Sequence, residues 1–554
     1  MAPVWLLLTW LVVNLLQAAL TPLDADETYY WMYAGRLAWG YFDHPPAVAV
    51  LIGLGKDWLP GALGLRFGHV LAGTATVAAL WHLLGKPTGR LLWLAAALIA
   101  AQPFLNVYGF IATPDGPLLL FSVLYLLAYR RFLDGPTVGR GAVWGLTMAG
   151  LLYSKYHGLM LIFFTVLPHL GFLLRQPGAW VAALGGAALY APHLYWQYAN
   201  DYPSFRYHLS GRDDVYELKY TVEYVLNQLV IFSPLLVYHY VRTFRRDDSR
   251  GDRFARACRW LVIGFLLFFL YTTTKGGTEA QWTALLSIPL VYLTFRAARD
   301  RFPEWQPLLF RLATITVALL TVARLLLMAP RDLLPFKKPF DHQPWTEELA
   351  TIADDLPLLV QNSYRIASVY EFYTGRPAWT FTDVEYRRNQ YDLWTADSVF
   401  HGRPALVLGQ VTWTDSTTKP FRTQTRDMKY RRVEDFQVIK GTELTYPVTL
   451  PDTVAVDGRY PLRVVARPPR RVGLHRDLTI DLHATLYYAD GSMAIIRLKP
   501  LATGRLEADR ESVVYEGTLK IPAEAVVGEA SYEIGLGYAG MPPLRGDTRG
   551  ILIR

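Results

Sequence analysis

Apolar runs close to 20 residues long, separated by short polar stretches, recur along the first 330 positions of the chain. A helix of about 20 apolar residues crosses the roughly 30 Å hydrocarbon core of a bilayer. The pattern predicts spans near 3–20, 65–85, 90–110, 116–133, 141–155, 158–174, 178–197, 223–241, 260–274, 281–296 and 306–328, about eleven in all. Residues 1–20 resemble a secretory signal in length, but no basic segment precedes the apolar run, so it reads as an uncleaved first span.

Beyond 330 no run is long enough to cross a membrane. Pro335, Pro339 and Pro344 make a stiff linker. Leu356 to Val360 then reads as a short buried strand, Tyr364 to Tyr373 as a helix and Ala405 to Leu408 as a second strand. After 440 the period changes to two. Leu478, Ile480, Leu482, Ala484 and Leu486 alternate with polar residues, Asp490-Gly491 turns the chain, and Ala494, Ile496 and Leu498 continue the alternation. Tyr532 to Tyr538 repeats it. The expected architecture is a mainly α, polytopic membrane domain over 1–330, a small α/β region over 331–440 and a β-sandwich over 441–554.

Composition agrees: 52% of the 554 residues are hydrophobic and 18% are charged, well below the ~25% of an ordinary soluble domain. The single cysteine, Cys258, excludes an intramolecular disulfide framework and any Cys-rich metal site. The net charge of +8 would suit nucleic acid were it not for where the charges lie. Arg130, Arg131, Arg140, Arg296, Arg299 and a cluster from Arg242 to Arg259 fall in alternate loops between spans. They are topology determinants, marking those loops as cytoplasmic, and a nucleic-acid partner is not expected. An odd number of spans then places the region after 330 outside.

The opposite loops carry the candidate chemistry. The first, Asp24 to Pro46, opens a helix with Asp26 and Glu27, continues through Tyr30, Trp31, Tyr33 and Trp39, and ends on Asp43-His44-Pro45-Pro46. Asp26-Glu27 fits an acidic first turn favoured by the helix dipole. It equally fits a carboxylate pair at a membrane face, where acids are costly unless paired or functional. Asp115 sits in Thr113-Pro-Asp-Gly-Pro117, either as a helix cap or as a site residue. Lys155, in Tyr153-Ser-Lys-Tyr-His157, either snorkels or faces a cavity. Arg206, His208, Arg212 and Glu279 lie in later loops on the same side.

The string Asp-Glu-x-Tyr-Tyr-Trp, then Gly-Tyr-Phe-Asp-His-Pro-Pro, Thr-Pro-Asp-x-Pro and Ser-Lys-Tyr, in that order, resembles the bacterial GT-C glycosyltransferases. It is most similar to the branch of the protein O-mannosyltransferases and the lipid A aminoarabinose transferases. The resemblance covers about residues 1–300. It implies an enzyme of the bacterial cytoplasmic membrane that transfers a sugar from a polyprenyl-phosphate donor to a protein, lipid or glycan hydroxyl at the outer face. By the same resemblance Asp26, Glu27 and Asp43 are catalytic. Lys155 and Arg212 contact the donor phosphate, with His44 standing where the aminoarabinose enzymes carry lysine. Tyr41, Asp115 and His208 line the cavity. Some relatives bind a divalent metal near these carboxylates and others need none. Asp43 and His208 suit one, although two ligands do not make a site.

A weak hydroxyl nucleophile needs a positioned carboxylate to take its proton, and a departing phosphate needs cations. These are the residue types gathered in the loops. No P-loop or dinucleotide glycine motif is present. A flippase for lipid-linked glycan would need similar charges, but near the membrane midplane; a ligase of preassembled glycan would differ in donor size. In the outer region, Tyr386-Arg-Arg-Asn-Gln-Tyr-Asp-Leu-Trp394 combines Arg388 and Trp394 in a mixture suited to sugar. It reads either as an acceptor-binding stretch over the membrane cavity or as a segment packing Tyr391 and Trp394 into the α/β region.

Overall fold

The computed structural model describes residues 1–210, 216–246, 251–330, 333, 340–383, 386–410, 417–468, 480–501, 506–538 and 548–554. The chain divides into two compact units, Met1–Asp341 and His342–Arg554. The α/β part and the β-sandwich therefore share one unit.

The first unit is helical. In order, its helices are α1 (Ala2–Leu20), α2 (Ala25–Ala34), α3 (Ala47–Gly53), α4 (Gly61–Leu83), α5 (Gly89–Ala100), α6 (Pro103–Val107), α7 (Asp115–Asp134), α8 (Val138–Ser154), α9 (His157–Val166), α10 (Leu170–Leu173), α11 (Pro177–Ala199), α12 (Pro203–Ser210), α13 (Leu218–Ile231), α14 (Pro234–Arg246), α15 (Arg253–Thr272), α16 (Ser287–Asp300) and α17 (Gln306–Met328). Among the described residues, five helical segments are long and apolar enough to cross a membrane. A sixth is added if α13 and α14, bent by 96°, count as one span.

Three of the other expected spans take other forms. The run at 90–110 breaks at Gln102-Pro103 into α5 and α6, and the run at 158–174 passes through a 3-10 turn at Leu167–His169. The run at 281–296 begins as a 3-10 segment and becomes α16, whose surface is buried almost all round. A 14-residue helix buried continuously from Ser287 to Phe295 is a core element. Hydropathy alone does not separate burial in protein from burial in lipid.

Helices α8 and α11 pack at backbone contact. A Cβ on Gly141 would lie 1.9 Å from the carbonyl oxygen of Gly178, the close approach that small residues permit in membrane bundles. Beside them Trp144 stacks on Tyr129 and Phe132, at 4.8 and 5.1 Å between ring centroids.

In the second unit, Leu358–Gln361 (β1), Ala378–Phe381 (β2), Arg403–Gly409 (β3), Lys419–Arg422 (β4) and Asp427–Phe436 (β5) form one mixed sheet, ordered β2-β1-β3-β5-β4. Strands β1, β2 and β3 run parallel, with the helix Tyr364–Thr374 between β1 and β2. The sandwich follows. Ile480–Tyr488 pairs antiparallel with Met493–Leu498 and with Gly528–Tyr538. The expected alternation is seen in the buried Leu482, Ala484, Leu486, Tyr532, Ile534 and Leu536. Leu478 lies outside the described residues.

Candidate active site

The site is built from the loops at the end of the helical unit where α1 leads into α2. Asp24 caps α2, accepting from the Asp26 amide at 2.8 Å, and the Glu27 carboxylate accepts from the Asp24 amide at 2.9 Å. This capping box fixes the start of the helix.

Glu27 does more than cap. Its Oε1 accepts from Arg66 Nε (2.7 Å) and the Ala112 amide (2.8 Å), and its Oε2 accepts from Arg66 Nη2 (2.5 Å). Arg66, on α4, uses all five donors, the others going to the carbonyls of Ala18, Thr21 and Pro22. Neither side chain is exposed. Glu27, expected to be catalytic, has no surface from which to meet a substrate; it ties α2 to α1, α4 and the segment before α7. Asp26 lies about 100° further round the helix and is half exposed.

Asp43 is buried and accepts from the hydroxyls of Tyr29 (2.9 Å) and Tyr33 (3.3 Å), one turn apart on α2. Burial first, then Tyr29 and Asp43, pushes the Tyr33 phenol well above its ordinary range, so it stays a donor. Tyr41 stacks on Tyr33 at 4.1 Å between centroids. Its hydroxyl donates to the carbonyls of Tyr33 and Arg36 and accepts from the Ala38 amide. Expected at the substrate, Tyr41 is fully buried and closes its own loop. His44 is half buried, edge-on to the Tyr30 ring at 5.7 Å.

A polar relay anchors the far side of this loop. His193 Nδ1, on α11, donates to the Trp39 carbonyl (2.8 Å), and its Nε2 lies 3.1 Å from the Tyr156 hydroxyl. Gln197 donates to Tyr156 (2.9 Å) and Ser204 (2.8 Å), and Ser204 donates to the Tyr41 carbonyl (3.1 Å). Gly40 is required here, because a Cβ would lie 2.5 Å from Trp196. Sequence reasoning missed Arg66, His193 and Gln197. Their signal was a charged or amide side chain within an apolar span, costly in a bilayer unless partnered.

Lys155 neither snorkels nor stands alone. Its Nζ binds both oxygens of Asp115, at 2.8 and 2.9 Å, and both residues are buried. Asp115 is the first residue of α7 rather than its cap, which is Pro114.

Arg212 and the side chain of His208 lie outside the described residues. Among the described residues no group of three or more His, Cys, Asp or Glu is placed to hold a metal ion. In the second unit, Arg388 and Trp394 line a cavity of about 460 Å³ with Trp379, Phe436, Asp392 and Lys440. Tyr391 is fully buried in that unit, and Lys440 donates to the carbonyls of Tyr391 and Trp394.

Residues 43–196 match the family described as dolichyl-phosphate-mannose-protein mannosyltransferase. The stretch holds Asp43, Asp115, Lys155 and His193 together. A curated relative, the lipid A galacturonosyltransferase RgtD of Rhizobium johnstonii, is 25% identical over 310 residues; the match covers 51% of this chain and 63% of the relative. The chain thus spans less than two thirds of the length of that relative. Among solved structures, ArnT from Cupriavidus metallidurans bound to undecaprenyl phosphate aligns over 77% of this chain and 97% of its own, with a TM-score of 0.59 and 14% identity. The apo form of the same protein gives 0.58 and 13% over the same shares. The fold of the helical unit is the GT-C fold expected from the motifs.

Proposed function

We propose that the chain is an integral membrane glycosyltransferase that moves a sugar from a polyprenyl-phosphate carrier to an acceptor hydroxyl at the outer face of the cytoplasmic membrane. What carries the proposal is that Asp43 and the Asp115–Lys155 pair fall inside a match to a glycosyltransferase family, and that Asp43 is held by Tyr29 and Tyr33 of the helix that carries Asp26. Undecaprenyl phosphate in the ArnT structure supports the carrier class, and the name of the galacturonosyltransferase makes lipid A the first acceptor to test.

In this mechanism Asp26 takes the proton of the acceptor hydroxyl as its oxygen bonds to the anomeric carbon. The bond from that carbon to the phosphate oxygen breaks, and polyprenyl phosphate departs with the electron pair. Glu27 is removed from the chemical step and made the brace of Asp26. Asp43, clamped by two phenols, orients the sugar. Lys155 has three N–H groups; two go to Asp115, leaving the third for a phosphate oxygen, where His44 and Arg212 add positive charge. A cation aimed at developing negative charge is worth most where water is excluded. A divalent metal, if used, belongs beside Asp43. Arg388 and Trp394 are assigned to holding the acceptor glycan.

The deciding experiment is transfer from a synthetic polyprenyl-phosphate sugar to lipid A by purified protein, with Asp26→Asn as control. Full turnover by that variant would remove Asp26 from the step. Turnover by neither protein on a panel of carrier-linked sugars would remove the enzyme class.

A further inference from the structure

Arg324, on α17, is a cation placed among helices with no counter-charge among the described residues. Its Nη2 donates to Asn14 Oδ1 (2.9 Å), its Nε to Gln17 Oε1 (3.0 Å) and its Nη1 to Asn106 Oδ1 (3.2 Å), all neutral amide oxygens. Among the described residues no carboxylate forms an ion pair with it. Its other close neighbour is the Phe110 ring, 5.8 Å from the guanidinium carbon. Three of its five N–H groups are engaged; one on each Nη remains. A half-buried arginine among apolar helices is expensive unless a partner neutralises it, and the described residues supply only dipoles.

The same residue closes one end of a groove. A cavity of about 510 Å³ runs between α1, α4, α5 and α17, and apart from Arg324, Asn106, Thr9 and Thr321 its lining is apolar or aromatic. On α1 it extends from Pro3 to Leu16, a length of about 20 Å at 1.5 Å per residue. That suits one fatty acyl chain. Arg324 lies at the end nearest the α1–α2 connection, because Gln17 is within one turn of the end of α1.

We propose that this groove holds an anionic membrane phospholipid, its phosphate on the two remaining N–H groups of Arg324 and one acyl chain along α1. The charge selects the headgroup and the apolar lining selects the chain. The sugar carrier fits less well, because none of Asp26, Asp43, Asp115 or Lys155 lines the groove. The lipid would also bear on the active-site frame. Arg66, which holds Glu27, lies 5.4 Å from the same Phe110 ring that Arg324 approaches.

The test does not depend on turnover, so it stands or falls apart from the proposed reaction. Full-length protein is purified from membranes, the co-purifying lipids are identified by mass spectrometry, and thermal stability is compared in nanodiscs of phosphatidylcholine with and without phosphatidylglycerol. Wild type should retain phosphatidylglycerol and melt higher in its presence. Arg324→Gln should retain about tenfold less, the factor expected for losing hydrogen bonds to a charged group, and Arg324→Lys should recover part of it. Ala96→Phe, which fills the groove and leaves Arg324 intact, should displace the lipid as well and covers the case in which Arg324→Gln fails to fold. Equal retention by wild type and Ala96→Phe would overturn the proposal. So would a groove-dependent lipid that proves to be polyprenyl phosphate, or zwitterionic.

Discussion

The guanidinium of Arg66 holds the carboxylate of Glu27 through two hydrogen bonds of 2.7 and 2.5 Å, with both side chains out of contact with solvent. The two residues are 39 positions apart, and their pairing buries Glu27 completely while Asp26 beside it keeps some exposed surface. Removing either partner strands a buried charge, at a cost of about 3–5 kcal/mol. Arg66→Met and Glu27→Gln should therefore each lower the melting temperature strongly. Arg66→Met combined with Glu27→Leu should recover part of the loss, because no charge is then stranded. Thermal unfolding in detergent reads all three.

Asp26→Asn should behave differently. Its side chain is half exposed, so stability should change little, while turnover falls by roughly 10² to 10⁴. Binding of the carrier-linked sugar should be nearly unchanged. A variant that melts like wild type but turns over normally would transfer the base role elsewhere.

The Asp115–Lys155 pair separates structure from catalysis by a double-mutant cycle. Lys155→Met should reduce kcat/KM by roughly 10² to 10³, the usual result of removing one donor from developing charge. It also leaves Asp115 buried and unpaired. Adding Asp115→Asn should restore stability without restoring turnover. Recovery of both would make the pair purely structural.

The sandwich should weaken in mild acid. Burial pushes His483 below its ordinary value of 6.5, more than Asp481 draws it back up. The unfolded chain therefore binds the proton first as pH falls through 6.5. Stability present above that pH is lost as pH drops toward the lower folded value. After correction for the slower intrinsic exchange in acid, hydrogen-exchange protection across Ile480–Tyr488 and Gly528–Tyr538 should fall between pH 7 and pH 5.5 in wild type. His483→Gln should flatten that dependence.

Membrane orientation is testable by labelling, but native Cys258 cannot serve as the inner marker. It is fully buried and would stay unlabelled in either orientation. Arg301 and Ser492 are both exposed. Ser492→Cys should react with an impermeant thiol reagent in intact spheroplasts, and Arg301→Cys only after permeabilisation. The opposite pattern would place the carboxylate loops in the cytoplasm.

Much of the fold was legible because local signals carried it. Period-two alternation marked the strand at Ile480–Tyr488, Asp490-Gly491 marked its turn, and Tyr364 to Tyr373 marked a helix observed at Tyr364–Thr374. The helical character of 1–330 followed from apolar runs. The way those runs are built did not, because α16 is buried along nearly its whole length and α9 and α10 are parts of a broken run. Hydropathy measures escape from water and is indifferent to what replaces it.

For the site, the order of motifs along the chain determined that Asp26, Asp43, Asp115 and Lys155 belong to one face. Only the tertiary structure decided their employment. It gave Glu27 to Arg66, Tyr41 to its own loop, Asp43 to two tyrosines and Lys155 to Asp115. Each of these pairings joins groups brought close by helix packing rather than by spacing. A carboxylate held by a buried cation is a brace, and a partly exposed one keeps surface on which to meet a substrate. Residue type sets what a side chain is able to do, and the neighbours that packing supplies set what it has left to do.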